Sequence, residues 1–148
     1  MNITRFTDYS LRVLIYLAVN ENRPCTINDI ALSYGISKNH LMKVVQGLSQ
    51  KDFVLATRGK NGGIRLNRPP EQINIGKLVR SMEDGSKMVE CFGANNQCVI
   101  TPSCQMKNIF VEAQDSFYST LEKYTLADLI GEKHRSGLVN LLSIEHAS

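Results

Sequence analysis

Two short helical patterns joined by a tight turn, in residues 26–50, constrain the fold of this chain more than any other feature. Thr26 and Asp29 form a T-x-x-D start, in which a hydroxyl and a carboxylate satisfy free amide groups of a helix's first turn. Gly35 is expected to end that helix, because glycine enters the left-handed conformation without steric strain. Ser37 is a good cap for the second helix. The pattern is typical of a helix-turn-helix, whose second helix enters the DNA major groove.

A β-hairpin is predicted directly after these helices. Residues 53–57 are rich in β-forming side chains, and the turn formers GKNGG and then IRL follow them. A basic hairpin behind a helix-turn-helix is a winged helix, whose wing reaches phosphates or an adjacent minor groove.

Basic charge is concentrated in this part of the chain. The chain as a whole has a net charge of +3, but residues 38–68 hold seven basic residues and one acidic residue. A local excess of this kind indicates a polyanionic partner. Asparagine and lysine suit adenine and guanine edges respectively, and an arginine on the hairpin suits phosphate. We therefore predict that double-stranded DNA contacts Ser37, Lys38, Asn39, His40 and Lys43 on the second helix and Arg58, Lys60, Asn61 and Arg65 on the hairpin.

The second half of the chain predicts a way to form a dimer. Thr101 and Pro102 mark the start of a long helix that runs to about Tyr124. Its apolar stripe is longer than one small winged helix requires, which favours a homodimer on a palindromic operator. The predicted fold is mainly α: a winged helix-turn-helix with a small β-hairpin wing in residues 1–70. A connecting helix, a cysteine loop and a long C-terminal dimerisation helix follow in residues 71–148.

Composition and motifs exclude other classes of protein. The 148 residues are 43% hydrophobic and 21% charged, which suits a globular protein. No run approaches the length of about eighteen apolar residues that a membrane span needs, and the start lacks signal-peptide features. A cytoplasmic protein without a membrane partner is expected. The chain contains neither a nucleophile–base pair nor a phosphate-binding glycine loop, so it is not expected to be an enzyme.

Three of the four cysteines, Cys91, Cys98 and Cys104, lie in one polar loop with the spacing C-x6-C-x5-C. Structural zinc prefers cysteine pairs two to four residues apart, and a regulatory disulfide would leave one thiol over. An iron–sulfur cluster accepts looser spacing, so this chemistry is favoured over zinc. Cys104 is placed in the first turn of the long helix, where the helix dipole stabilises a thiolate. Cys25 is expected to be a buried thiol and not a ligand.

Several segments together resemble the Rrf-type winged-helix regulators, and within them the branch that senses nitric oxide. The segments are TRFTDYSLRVLIYLA, GISKNHLMKVV, TRGKNGGIRL, CVITPSC and YTLADL. The resemblance implies a homodimeric repressor with an iron–sulfur cluster, [4Fe-4S] or [2Fe-2S], which leaves DNA when nitric oxide attacks the cluster. It carries the ligand role onto Cys91, Cys98 and Cys104, with Asp8 of the partner subunit as the fourth ligand. Lys107 stands where the iron–sulfur-biogenesis branch has a histidine.

Alternatives remain at this point. Asp8 can instead form an ordinary ion pair with Arg12, four residues later on the same helix. The same fold can sense iron–sulfur or redox status in place of nitric oxide. A zinc-stabilised interaction module without a sensing role is the alternative from a different class.

Overall fold

The computed structural model describes residues 2–142 and residue 144. This part of the chain forms seven α-helices and one two-stranded antiparallel sheet, so the mainly α winged-helix prediction is confirmed. Short 3-10 turns cover Pro70–Gln72, Glu90–Phe92 and Thr101–Ser103. In chain order the elements are α1 (Arg5–Val19), α2 (Ile27–Tyr34), α3 (Lys38–Gln50), β1 (Val54–Thr57), β2 (Gly63–Leu66), α4 (Ile75–Met82), α5 (Gln105–Leu121), α6 (Leu126–Leu129) and α7 (Glu132–Leu141).

The predicted boundaries of α2 and α3 are confirmed because their caps form as expected. The Thr26 hydroxyl accepts the Asp29 amide at 3.0 Å, and the Asp29 carboxylate accepts the Thr26 amide at 3.0 Å. Gly35 ends α2 in the left-handed conformation, with φ of 66°. The Ser37 hydroxyl accepts the His40 amide at 3.2 Å and so starts α3. The chain therefore stops one helix and starts the next within three residues.

The wing is fixed at its base. β1 and β2 pair antiparallel, and Cys25 adds a short bridge to the outer side of β2. The Cys25 amide donates to the Ile64 carbonyl at 3.0 Å, and the Ile64 amide donates to the Cys25 carbonyl at 2.7 Å. Cys25 is fully buried, as predicted, and its thiol accepts the Asn20 side-chain amide at 3.0 Å. Burial raises the pKa of this thiol, which therefore stays protonated at neutral pH.

One hydrophobic core runs from the helix-turn-helix to the C-terminal helices. α1 lies in its centre and packs against α3, α4, α6, α7 and β2. α3 and α4 each contribute a buried face with the helical spacing that the sequence predicts, and β2 contributes the buried side chain of Ile64. The aliphatic side chains with at most 1% exposure include Val13, Leu14, Ile30, Leu41, Val44, Leu48, Ile73, Leu78, Val79 and Leu126. The boundary predicted at residue 70 stays a prediction.

The long helix begins later and ends earlier than the sequence suggests. Thr101 and Pro102 form a separate 3-10 turn, because the Thr101 hydroxyl donates to the Cys98 carbonyl at 2.9 Å instead of capping the helix. Cys104 has extended backbone, with φ −89° and ψ 113°. It is therefore the residue before α5 and does not lie in the first turn. α5 has 17 residues, and no helix in the described ranges has the length and apolarity to cross a membrane.

Candidate DNA interface and cysteine site

The predicted DNA-binding residues of α3 lie at its N-terminal end. Lys38, Asn39 and Lys43 are exposed on the side of α3 that faces away from the core. Ser37 is exposed and caps the helix, and His40 is half-buried. The arrangement leaves two amines and an amide free for base edges, while His40 turns toward α1.

The predicted wing residues are also at the surface. Arg58, Lys60 and Asn61 occupy the exposed turn between β1 and β2, and Arg65 is exposed on β2. Gly59 makes this turn possible, because its φ of 101° lies in a region that other residues rarely adopt. The two ion pairs found within residues 2–142 and 144 lie elsewhere, so these basic groups stay available to an anionic partner.

Asp8 lies on α1 and pairs with Arg12, as the alternative prediction has it. The carboxylate accepts two hydrogen bonds from the guanidinium, at 2.8 and 3.3 Å. The Arg12 guanidinium also lies 5.2 Å from the centre of the Tyr9 ring. The Tyr9 ring meets the His40 ring edge-on, with centroids 4.7 Å apart. Asp8 is thereby connected through Arg12 and Tyr9 to the helix that presents the predicted base-reading residues.

Sequence reasoning missed the aromatic residues in this connection. Tyr34, at the end of α2, donates its hydroxyl hydrogen to the Arg12 carbonyl at 2.8 Å. Burial raises the pKa of Tyr34 to about 12, so the hydroxyl stays protonated and keeps its donor role. Tyr9 is adjacent to Asp8 in sequence, and an aromatic residue beside a charged pair is the only signal that the sequence offers for it.

The cysteine loop, residues 83–104, lies outside the core. All of its residues are described, and none of their side chains is buried. Cys91 and Cys104 are half-buried and Cys98 is exposed, and all are free thiols. The side chain of Asn96 links two parts of this loop. Its Oδ1 accepts a hydrogen bond from the Cys98 backbone amide at 3.0 Å, and its Nδ2 donates one to the Thr101 hydroxyl at 2.7 Å.

The three loop thiols do not meet at one point in this single chain. Among residues 2–142 and 144, no three histidine, cysteine, aspartate or glutamate side chains converge as metal ligands do. The donor set itself suits an iron–sulfur cluster, because thiolates are the ligands that such clusters take. Closure would require the loop to move, and no buried side chain in the loop opposes that movement.

Glu83 joins the start of the cysteine loop to the start of α1. Its carboxylate accepts the Thr4 amide at 2.9 Å and the Thr4 hydroxyl at 3.0 Å. Burial alone would raise the pKa of Glu83, but hydrogen bonds from Thr7, Thr4 and Ser86 outweigh it and lower the pKa. Thr4 also caps α1, the helix that carries Asp8. The sequence gives no signal for this contact, which spans 79 residues.

α5 leaves half of its apolar side chains exposed, namely Met106, Ile109, Val111 and Ala113. Met106 is 48% exposed and Ile109 is 52% exposed, and Tyr118 is the one side chain of α5 that is buried. An apolar groove of about 540 Å³ runs along the same helix. Its apolar lining comprises Ile3, Met88, Val89, Phe110, Phe117 and Tyr118.

Comparison with known proteins assigns the family. The family model for Rrf2, described as iron-dependent transcriptional regulators, matches residues 3–132. The chain belongs to the Rrf2 family. It is 49% identical to the HTH-type transcriptional regulator NsrR of Bacillus subtilis over 149 aligned positions, which cover 98% of this chain and 99% of the relative. It is 50% identical to NsrR of Bacillus licheniformis over 132 positions, 88% of this chain and 92% of the relative.

Solved structures agree with the Rrf2 assignment. IscR of T. potens shares the fold, with a TM-score of 0.73 and 22% identity over 92% of this chain and 90% of that chain. CymR, the global cysteine regulator of B. subtilis, has a TM-score of 0.67 and 25% identity over 87% and 95% of the two chains. This Rrf2 protein is therefore a transcriptional regulator and, as predicted, not an enzyme.

Proposed function

We propose that this Rrf2 protein is a homodimeric repressor that binds a palindromic operator and releases it in response to nitric oxide. Similarity to the NsrR regulators over nearly the whole chain supports this function. The observation that carries it is the placement of Cys91, Cys98 and Cys104. The three free thiols belong to one loop that contributes no buried side chain to the core, although they do not converge in the single chain.

These three thiolates would hold an iron–sulfur cluster, [4Fe-4S] or [2Fe-2S], and Asp8 of the partner subunit would be the fourth ligand. When bound, the cluster supplies iron atoms that react with nitric oxide. The chain's own contribution is a loop that carries three cysteines and begins at Glu83. The Glu83 carboxylate accepts hydrogen bonds from Thr4, the N-cap of α1. Loop and α1 are thus adjacent before any cofactor binds.

The contacts of Asp8 support a route from the cysteine site to DNA. In the single chain, Asp8 neutralises Arg12, and Arg12 lies over Tyr9. An Asp8 that turns to the partner subunit leaves Arg12 without its counter-ion, next to the Tyr9–His40 contact. His40 lies on α3, so the loss of the carboxylate that neutralises Arg12 acts on the helix that enters the major groove. A small displacement of α3 matters, because two half-sites must match a spacing of about 34 Å.

The homodimer is supported by the surface of α5. Its exposed apolar residues Met106 and Ile109 are three positions apart and therefore lie on the same side of the helix, and grouped apolar side chains of this kind mark an interaction site. A second copy of α5 would cover them and bring two winged helices onto one operator.

The proposed function is tested on protein purified without air from iron-replete cells. We expect a coloured protein that contains iron and acid-labile sulfide, shows iron–sulfur Mössbauer and absorption spectra, and loses operator affinity on titration with nitric oxide. Release by oxygen at the same dose, with no response to nitric oxide, would favour a redox sensor. A colourless, sulfide-free protein that binds its operator and still responds to its inducer would contradict the proposal.

Replacement of Arg58 by alanine is expected to weaken operator binding about tenfold, because the wing loses a phosphate or minor-groove contact in each half-site. The slope of affinity against salt should fall by about one for each lost phosphate contact. Iron content should not change, since Arg58 lies on the wing, outside the cysteine loop. Lys133→Ala, which removes an exposed charge on α7, is the control. Equal affinity of Arg58→Ala and wild type at matched salt would exclude the wing contact.

A further inference from the structure

Two residues on the outer face of α3 have no role in the interface described so far. Met42 is 54% exposed, and Gln46 is exposed as well. α3 buries Leu41, Val44 and Leu48, so its opposite side is the side that can enter a groove of DNA. The residues predicted from the sequence end at Lys43, because that prediction covers only the first turns of the helix.

Helix geometry puts these residues beside the predicted base-reading side chains. At about 100° per residue, Asn39, Lys43 and Gln46 project within a sector of about 60°, and Met42 projects next to it on one side. Asn39 and Gln46 are about 10 Å apart along the helix axis, which corresponds to about three base-pair steps. The outer face of α3 is therefore continuous over the length of a short half-site.

Met42 also lines a groove between α3 and the wing. The groove has a volume of about 490 Å³ and is mostly apolar. Besides Met42, its lining includes Val45 of α3, Ile27 of α2 and Ala56 of β1, and Lys38 contributes from the start of α3. Single exposed apolar side chains are common on protein surfaces. Met42 differs from them because it stands among amines and amides on the face that turns toward DNA.

We propose that Met42 reads a thymine methyl group and Gln46 an adjacent adenine in the major groove of the operator. The C5-methyl of thymine is the one apolar group that base pairs present there, and the apolar, flexible thioether side chain of methionine can pack against it. Glutamine forms a paired hydrogen bond with N6 and N7 of adenine. The inference rests on the proposed function, since it requires α3 to enter the major groove, and it specifies an A·T-containing half-site.

The first experiment identifies the operator and then removes single methyl groups. Full-length protein, purified without air, selects binding sites from random double-stranded DNA. Each thymine of the selected half-site is then replaced by deoxyuridine, which lacks only the methyl group. We expect one position in each half-site at which this replacement weakens wild-type binding about fourfold, the effect of one buried methyl-sized group.

Met42→Ala provides the paired measurement. The variant should bind the thymine operator about fourfold more weakly for each half-site and should no longer distinguish thymine from deoxyuridine at that position. Met42→Leu, which keeps an apolar side chain, should retain the distinction. Leu32→Ala is the matched control, because Leu32 is 76% exposed on α2, outside the α3 face.

Gln46→Ala is measured in the same way against 7-deazaadenine, which lacks the N7 acceptor. The affinity of wild type should be lower by about fivefold or more on the modified operator, and the affinity of the variant should be the same on both operators. The proposal for both residues is overturned if wild type binds the modified and unmodified operators equally, or if the variants keep the wild-type preference. Failure to select any operator would instead overturn the proposed function and this inference with it.

Discussion

Serine in place of Cys98 is expected to remove the iron–sulfur cluster and the response to nitric oxide together. Iron and sulfide content should fall to less than about a tenth of wild type, because the proposed cluster would lose one of its three thiolate ligands and serine is a poor ligand for such clusters. The fold should remain. Cys98 is exposed, and surface substitutions of this kind change stability by about 0.5 kcal/mol or less. Cofactor content, visible absorption and thermal unfolding of anaerobic protein measure both expectations.

Cys25→Ala is the matched control and should behave in the opposite way. Cys25 lies in the core, and its loss leaves the buried Asn20 amide without the thiol that accepts its hydrogen bond. We expect a loss of about 1–3 kcal/mol in the free energy of unfolding, with iron content unchanged. A Cys98→Ser protein with a full complement of iron and sulfide would show that the loop thiols have a different role.

Alanine in place of Gly76 is expected to disrupt the contact between α4 and α5. A Cβ at this position would lie 2.5 Å from the backbone nitrogen of Glu122, and backbone cannot move aside as a side chain can. Neighbouring bonds hold the two segments together: the Asn74 side-chain amide donates to the Glu122 carbonyl at 2.8 Å, and the Ile75 amide donates to the Tyr124 carbonyl at 3.0 Å. We expect the free energy of unfolding to fall by about 1–3 kcal/mol, which would lower Tm by roughly 2–12 °C.

Gly137→Ala separates this steric effect from the general effect of replacing glycine. Gly137 lies within α7, and an added Cβ there would meet no atom within 4 Å. The variant should be more stable than wild type by about 0.5–1 kcal/mol, because alanine favours the helix. Equal stability of Gly76→Ala and wild type would mean that α4 and α5 are packed more loosely than the structure shows.

Local chemistry explains why the sequence predicts the DNA-binding half so well. Thr26 with Asp29, Gly35 and Ser37 each act on neighbours within three or four residues, so the sequence carries the whole signal. The Asp8–Arg12 pair is predictable for the same reason. The predicted start of α5 is wrong by a few residues. Thr101 is a residue type that often caps helices, but its hydroxyl donates a hydrogen bond to the Cys98 carbonyl in the loop.

Contacts between distant segments could not be predicted. The bond between Glu83 and Thr4 joins residues 79 positions apart, and neither side chain differs from an ordinary surface residue in the sequence. Gly76 gives no hint that it faces Glu122. The relation of the loop thiols to Asp8 of a partner subunit depends on a second chain and a cofactor, so it stays a prediction in a single chain.

The separation of the cysteine loop from the core also bears on how such regulators diversify. No side chain of residues 84–104 is buried, so we expect insertions, deletions or substitutions there to leave the packing of α1, α3 and α4 intact as long as Glu83 keeps its hydrogen bonds to Thr4. A related regulator could therefore respond to a different signal through changes in about twenty loop residues, while its hydrophobic core stays the same. Substitutions in this segment are therefore expected to alter signalling, whereas substitutions in the core are expected to alter stability.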